Sequence, residues 1–342
     1  MNNYYNVVVL LLTDNCADAL DRSIDSVLNQ SFDAKRIKIV AVDNHSTDGT
    51  YEKLLKYACS TGISVYRLKK KSFPTRLLRS ALSYLTYTDH KYITVLCPGD
   101  ILYENYITRC AEVMDEYCTP DRRLLICEAD IAVEKDIIDS QTPIYTSNCI
   151  LLKREHYKEF FINGVGHKVQ VFFLNNTIPT MLPELPSCVD YTDWFSKAMY
   201  SFGNECIYLQ DILACTKTFN CQNKIYDLIL RLYTVTRLDL IRGTVFSDIS
   251  LSYLDSHDVA GKINNNLSLL ALKYASEAVD DGDMSLAERI LLFAEMVDEE
   301  VTGTENYCMV KKSIASGCRN QFSYTIDISE NSVSPPEGAI II

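Results

Sequence analysis

Residues 7–15 read VVVLLLTDN, residues 37–50 read IKIVAVDNHSTDGT and residues 92–100 read YITVLCPGD. Each is a short apolar run that ends in polar, turn-forming residues. The unbroken hydrophobicity of Val7–Leu12 marks a strand buried on both faces. Between these runs the apolar spacing changes to that of helices. Leu20, Ile24, Val27 and Leu28 recur at helical intervals, as do Leu54, Leu55 and Ala58, and then Leu77, Leu78, Ala81, Leu82 and Leu85. Ile63–Leu68 is a further strand, followed by Lys69-Lys70-Lys71 and by Pro74 at a first helical position. Beyond Asp100 a helix is expected over 104–117, with Ile107, Cys110, Val113 and Met114 inward, and then a strand over Leu124–Cys127. Asp14 or Asn15 is expected to cap the first helix, and the hydroxyls of Ser46–Thr50 the second. Strands alternating with helices imply an α/β fold with a largely parallel, doubly wound sheet. In such a sheet, ligands bind at the carboxyl ends of the strands. That is where the polar residues of all three stretches fall.

The composition fits this reading. The chain of 342 residues is long enough for two domains, and its 47% hydrophobic and 23% charged residues are those of a globular protein. A net charge of −12 argues against a general nucleic-acid or anionic-membrane binder. Apolar runs fall far short of the ~20 residues of a membrane helix. Val7–Leu12 lacks the basic flank of a secretion signal. The 13 cysteines form no CxxC pair, and several fall on apolar faces. They read as reduced core residues of a cytoplasmic protein.

The order VVVLLLTDN, SVLNQSF, VDNHSTDGT, basic helix, CPGD resembles the nucleotide-sugar half of an inverting family 2 glycosyltransferase with a GT-A fold, over roughly the first two-thirds of the chain. The resemblance implies a UDP-sugar donor. It puts Thr13 beside the nucleotide, and Asp43 and Asn44 on the uracil ring and its surroundings. A carboxylate or amide oxygen accepts the imide N–H of uracil. His45 replaces the usual glycine of this string. Arg79, in LRSA, matches an arginine near the diphosphate, where a guanidinium fork suits phosphate oxygens. Asp100 matches the last acidic residue of the DxD motif, which binds Mg²⁺ or Mn²⁺. Cys97 and Gly99 stand where other acidic residues would be, and Gly99 is grouped with the nucleotide contacts. Asp193, opening a helix in TDWF, matches the catalytic base that takes the acceptor hydroxyl's proton. Asp190, three residues earlier, is the alternative if the register differs.

The resulting expectation is a metal-dependent, inverting transfer of sugar to a hydroxyl of a glycan, lipid-linked or protein acceptor. The reduced CPGD motif leaves open a catalytically inactive GT-A scaffold or regulatory subunit. A nucleotidyltransferase needs a Gly- and Arg-rich N-terminal signature, which VVVLLLTDN lacks. The stretch 156–185 is irregular and hydrophobic, and is expected to shape the acceptor pocket; His156 and His167 are assigned no role.

Three regions are expected: a catalytic domain over 1–218, a smaller all-α domain over 219–320, and a tail over 321–342. Ala271, Tyr274, Ala275 and Ala278, then Gly282-Asp283, then Ala287, Ile290, Leu291 and Ala294 spell a helical hairpin similar to one tetratricopeptide-type repeat. Self-association through this domain is an expectation. In the tail, FSYTIDIS alternates like a strand. The final isoleucines suggest the start of a further domain or a segment that pairs with a partner.

Overall fold

The computed structural model describes residues 5–72, 74–85, 89–119, 122–134, 137–140, 142–153, 156, 168–174, 205–217, 225, 228, 257–317, 334–335 and 339–342. The strands are β1 (Tyr5–Thr13), β2 (Ile37–Asp43), β3 (Ser64–Arg67), β4 (His90–Leu96), β5 (Ile101–Leu102), β6 (Arg122–Glu134), β7 (Ile137–Asp139), β8 (Cys149–Lys153), β9 (Lys168–Leu174), β10 (Glu205–Lys217) and β11 (Ile340–Ile341). They join one 11-stranded sheet in the order β11-β8-β10-β6-β9-β4-β1-β2-β3, with β5 on β10 and β7 on β6.

Among the described residues, the helices flanking this sheet are α1 (Leu20–Leu28), α2 (Thr50–Thr61), α3 (Pro74–Tyr84) and α4 (Tyr106–Tyr117). The parallel set β3-β2-β1-β4 is the doubly wound core anticipated from the sequence. β6 does not lie directly beside it. β9, from the stretch read as irregular, inserts antiparallel between β4 and β6. Its Phe172 is buried, with ring centroids 5.2 Å from Tyr92 and 6.0 Å from Tyr106. These aromatic contacts give the short, apolar β9 a reason to sit at the middle of the sheet. β6 and β10 pair in parallel and extend well beyond the lengths their apolar runs suggest.

Alternation along each strand divides the core into two layers. On one face Val8, Leu10, Leu12, Val40 and Val42 pack against Leu77, Leu78, Ala81 and Leu82 of α3 and Leu85 just beyond it. On the other, Val7, Val9, Leu11, Ile39 and Ala41 pack against α1, α2 and α4. Leu28 and Leu55, though part of the helical apolar spacing, lie off the packed faces at 43% and 42% exposure. Each follows a buried neighbour, Val27 or Leu54, and a turn of ~100° per residue carries the next side chain off the sheet.

The expected caps also differ. Ala19 precedes α1 with no side-chain cap, and Asp14 and Asn15 bond elsewhere. At α2 it is the Asp48 carboxylate, not a hydroxyl, that accepts the Thr50 N–H.

The helical region holds α5 (His257–Asp280) and α6 (Met284–Val297), the anticipated hairpin, and a third helix, α7 (Glu305–Ser316). Gly282 turns the hairpin at φ 83°, and Asp283 caps α6 by accepting from Leu286 N–H at 2.9 Å. Leu228, Ala271, Ala275, Ala278, Ile290, Ala294, Tyr307 and Val310 belong to one buried cluster, separate from the two layers of the sheet. FSYTIDIS lies outside the described residues. Ile340 and Ile341 pair antiparallel with Leu151 and Ile150, so the last residues add a strand to this chain's own sheet.

Candidate active site

The carboxyl ends of β1 and β2 are side by side, with Thr13 opposite Asp43 in the parallel register. The loops that follow them are cross-bonded by the STDGT residues. Ser46 Oγ accepts from Asn15 N–H at 2.9 Å, and Asn15 Oδ1 accepts from Thr47 N–H at 2.9 Å. Thr50 Oγ1 accepts from Cys16 N–H at 2.8 Å, and Asp48 accepts from Ala17 N–H at 3.0 Å. Burial works to raise the Asp48 carboxyl, but the N–H groups of Ala17 and Thr50 and the Thr50 hydroxyl hold it below its ordinary value. The motif therefore builds a rigid rim around the first two strand ends. His45 adopts φ 59°, a left-handed conformation that suits the glycine of the family string, and its ring meets Leu68 C=O at 3.2 Å.

Inside this rim Thr13, Asp43 and Asn44 come together. Asp43 is fully buried. Its carboxylate accepts from Thr13 Oγ1 at 3.2 Å and from Ser46 N–H at 3.0 Å, and stands 3.3 Å from Arg67 Nε. Arg67 also donates to Ser46 C=O at 2.6 Å and lies over the Tyr51 ring. Asn44 N–H donates to Thr13 C=O at 2.8 Å. The Asn44 amide reaches outward: Nδ2 donates to Asp14 Oδ2 and to Ser72 C=O, both at 2.9 Å, and Oδ1 accepts from Ser72 N–H at 2.9 Å. Lys71 Nζ closes the arrangement 2.9 Å from Asp14 Oδ1. The lysine loop is thus latched over the strand ends by Asp14 and Asn44. Arg67 and Ser72 carry no pattern in the sequence as single polar side chains outside the motifs, and Asp14 was expected as a helix cap rather than as a site residue.

The end of β4 makes a tight turn. Asp100 N–H donates to Cys97 C=O at 3.0 Å, and Gly99 has φ 100°, which favours a residue without Cβ. Asp100 is 2% exposed. Its neighbour Ile101 begins β5, which pairs with Cys215 of β10, and Cys215 pairs in turn with Asp130 of β6. Asp130, 7% exposed, accepts from the Tyr103 hydroxyl. Burial, then the Asp130 and Asp100 carboxylates, push the Cys215 thiol up to about 11. Asp130 is a second acidic side chain near the turn; it lies beyond the apolar run Leu124–Cys127 that marks β6 in the sequence.

Among the described residues, no group of three or more His, Cys, Asp or Glu side chains is arranged to hold a metal ion. A buried single carboxylate at a strand end instead fits a hard divalent cation that completes its shell with phosphate oxygens and water. Arg79 lies exposed on α3, whose opposite face is buried. Asp190 and Asp193 lie outside the described residues.

Polar loops at the carboxyl ends of parallel strands, with one acidic turn beside them, fall where an α/β sheet carries its ligand site, as in a GT-A fold. Residues 8–120 match the model of Glycosyl transferase family 2, so the chain carries a family 2 glycosyltransferase domain. Among solved structures it is similar to a mannosyltransferase from Pyrobaculum calidifontis, in complex with GDP-Man and Mn²⁺, at 12% identity and a TM-score of 0.52, over 92% of this chain and 85% of that one. It is also similar to residues 1–349 of S. aureus TarS in complex with UDP-GlcNAc, at 15% identity and a TM-score of 0.50, over 93% and 94% of the two chains. These likenesses concern the fold. No curated protein gives a significant match. Among the described residues, no helix is long and apolar enough to cross a membrane.

Proposed function

We propose that the chain transfers a sugar, with inversion, from a UDP-sugar to a hydroxyl of a glycan, lipid-linked or protein acceptor. The observation that carries this reading is the convergence of Thr13, Asp43, Asn44 and the Asp100 turn on the carboxyl ends of adjacent strands β1, β2 and β4. In this reading the nucleoside sits on the rim. Asn44 offers its amide to the base by exchanging its present partners, Asp14 and Ser72. Asp43 keeps its internal bonds and fixes the floor beneath. Gly99 lets the donor's diphosphate approach the backbone of the turn, and Arg79 supplies a guanidinium to it.

Asp100 would hold a Mn²⁺ or Mg²⁺ ion, which when bound supplies Lewis-acid stabilisation of the departing nucleoside diphosphate. Asp193 is the proposed base, with Asp190 as the alternative. A carboxylate there removes the acceptor hydroxyl's proton as its oxygen attacks the anomeric carbon from the face opposite the leaving group. The family match covers Asp100 and supports its role, while the roles of Asp193 and Asp190 rest on the resemblance of their sequence positions. A cytoplasmic location and self-association through the helical domain belong to the same proposal.

The replacement of two acidic motif positions by Cys97 and Gly99 favours one second reading, a GT-A member that keeps the nucleotide site without chemistry. Release of UDP from a panel of UDP-sugars separates the two. The proposal expects Mn²⁺-dependent release that falls by roughly 100-fold or more in Asp193→Asn, the usual scale of a lost general base, with UDP binding retained. Loss in Asp190→Asn and none in Asp193→Asn would move the base to Asp190. No release with any donor, despite UDP binding, would favour the non-catalytic reading.

A further inference from the structure

The inward side of α1 carries an unusual row. Leu20, Ile24 and Val27 are buried and apolar, as the packing of a helix on a sheet requires, yet Ser23 among them is 0% exposed. A buried hydroxyl is costly unless it is hydrogen-bonded. Ser23 meets that requirement entirely through the Asp100 turn. Its Oγ accepts from Gly99 N–H at 2.8 Å and donates to Asp100 C=O at 2.8 Å, while Cys97 C=O lies further off at 3.5 Å.

The row continues at Ser26 on α1 and at Gln30, just beyond the end of the helix. Ser26 Oγ accepts from Leu102 N–H at 3.2 Å and donates to Ser23 C=O at 2.8 Å. Gln30 Nε2 donates to Tyr103 C=O at 2.8 Å, and its Oε1 accepts from Ile107 N–H at 2.9 Å. Between the end of β4 and the start of α4 the chain makes only the two-residue strand β5. Its backbone is therefore held in place by side chains of α1 and by Gln30 rather than by a long ladder.

We infer that Ser23, supported by Ser26 and Gln30, is a positioning residue that sets the stance of the Asp100 carboxylate toward the donor-bound cation. The inference rests on the proposed role of Asp100. Ser23 touches neither donor nor ion; it grips the peptide groups on both sides of the Gly99–Asp100 bond. Removing it leaves two buried backbone groups without their partner, and the turn relaxes around them. Groups that orient a metal ligand in this way commonly change affinity by roughly 10-fold to 100-fold when lost.

The test is Mn²⁺ titration by electron paramagnetic resonance, in the presence of UDP, on the full chain and on Ser23→Ala, Ser26→Ala, Ser23→Cys and Asp100→Ala. UDP affinity without metal is measured in parallel by calorimetry. The expected result is a Mn²⁺ affinity about 10-fold weaker or more in Ser23→Ala, smaller shifts in the same direction in Ser26→Ala and Ser23→Cys, and metal-free UDP affinity held near that of the wild type. Should Ser23→Ala fail to fold, the Ser26→Ala and Ser23→Cys titrations decide. Wild-type Mn²⁺ affinity in the folded serine variants, while Asp100→Ala loses the ion, would overturn this inference alone. So would an equal loss of metal-free UDP binding, which a merely structural defect produces. Undiminished Mn²⁺ binding in Asp100→Ala would overturn the Asp100 reading and this inference with it.

Discussion

The carboxylate of Asp43 is closed in by Thr13, Ser46 and Arg67, so its first effect is to join the ends of β1, β2 and β3 into one floor. Arg67→Ala would leave that buried carboxylate short of its cation. We expect a loss of about 1–3 kcal/mol in stability, read as a lowered denaturation midpoint, together with weaker UDP binding. Asp48 gives a pH signature. Its folded-state carboxyl is held below its ordinary value, so it contributes stability that is present above an unfolded pKa of about 4 and lost as pH falls through the lower folded value. Acid unfolding of Asp48→Asn should therefore depend less steeply on pH below about 4 than that of the wild type. At this scale the motif positions were legible because Thr13, Asp43, Asn44 and Asp100 each close an apolar run. Arg67, Ser72 and Asp130 were not, since each depends on which strand ends or loops meet in three dimensions.

Among the elements, α1, α2, α3 and α4 were legible from their apolar spacing, and β1 from its unbroken run. β9 was not, because a seven-residue strand that pairs antiparallel between two distant parallel strands has no local signature. The sequence also shows Ser23, Ser26 and Gln30 simply as polar residues on a helix or just beyond it, and only burial reveals that they face the Asp100 turn. In the helical region the hairpin turn was readable from Gly282-Asp283. The Asp283 cap there accepts from Leu286 N–H, and Asp283→Ala should cost about 1 kcal/mol. Thermal unfolding followed by helical circular dichroism would register that loss. A variant as stable as the wild type would mean that α6 is held by packing alone.

At the scale of the molecule, the sheet runs among the described residues from the short strand β3 to β11, which residues Ile340–Ile341 supply. β11 covers the outer edge of β8, with Ile342 N–H donating to Cys149 C=O at 3.1 Å. Unpaired edges invite association with other chains. Deleting residues 339–342 should speed hydrogen exchange at the newly unpaired β8 amides and lower the melting temperature, by roughly 2–4 °C for each kcal/mol lost. Unchanged exchange would show that β11 contributes nothing to that edge. The GT-A architecture itself was legible from the alternation of the first hundred residues, whereas the placement of the tail was not, because three isoleucines fit a cis edge strand and a partner's surface equally well.

The rim at β1 and β2 and the Asp100 turn are proposed to form one nucleotide and metal site. The most direct test is the thermal stability of the wild type and Asp100→Ala with UDP, with and without Mn²⁺, because a ligand that binds only the folded state raises the melting temperature. We expect a rise with UDP that grows with Mn²⁺ in the wild type, and an Asp100→Ala protein that keeps the first increment and loses the second. A wild type that melts at the same temperature with and without UDP, Mn²⁺ or both would contradict this proposal.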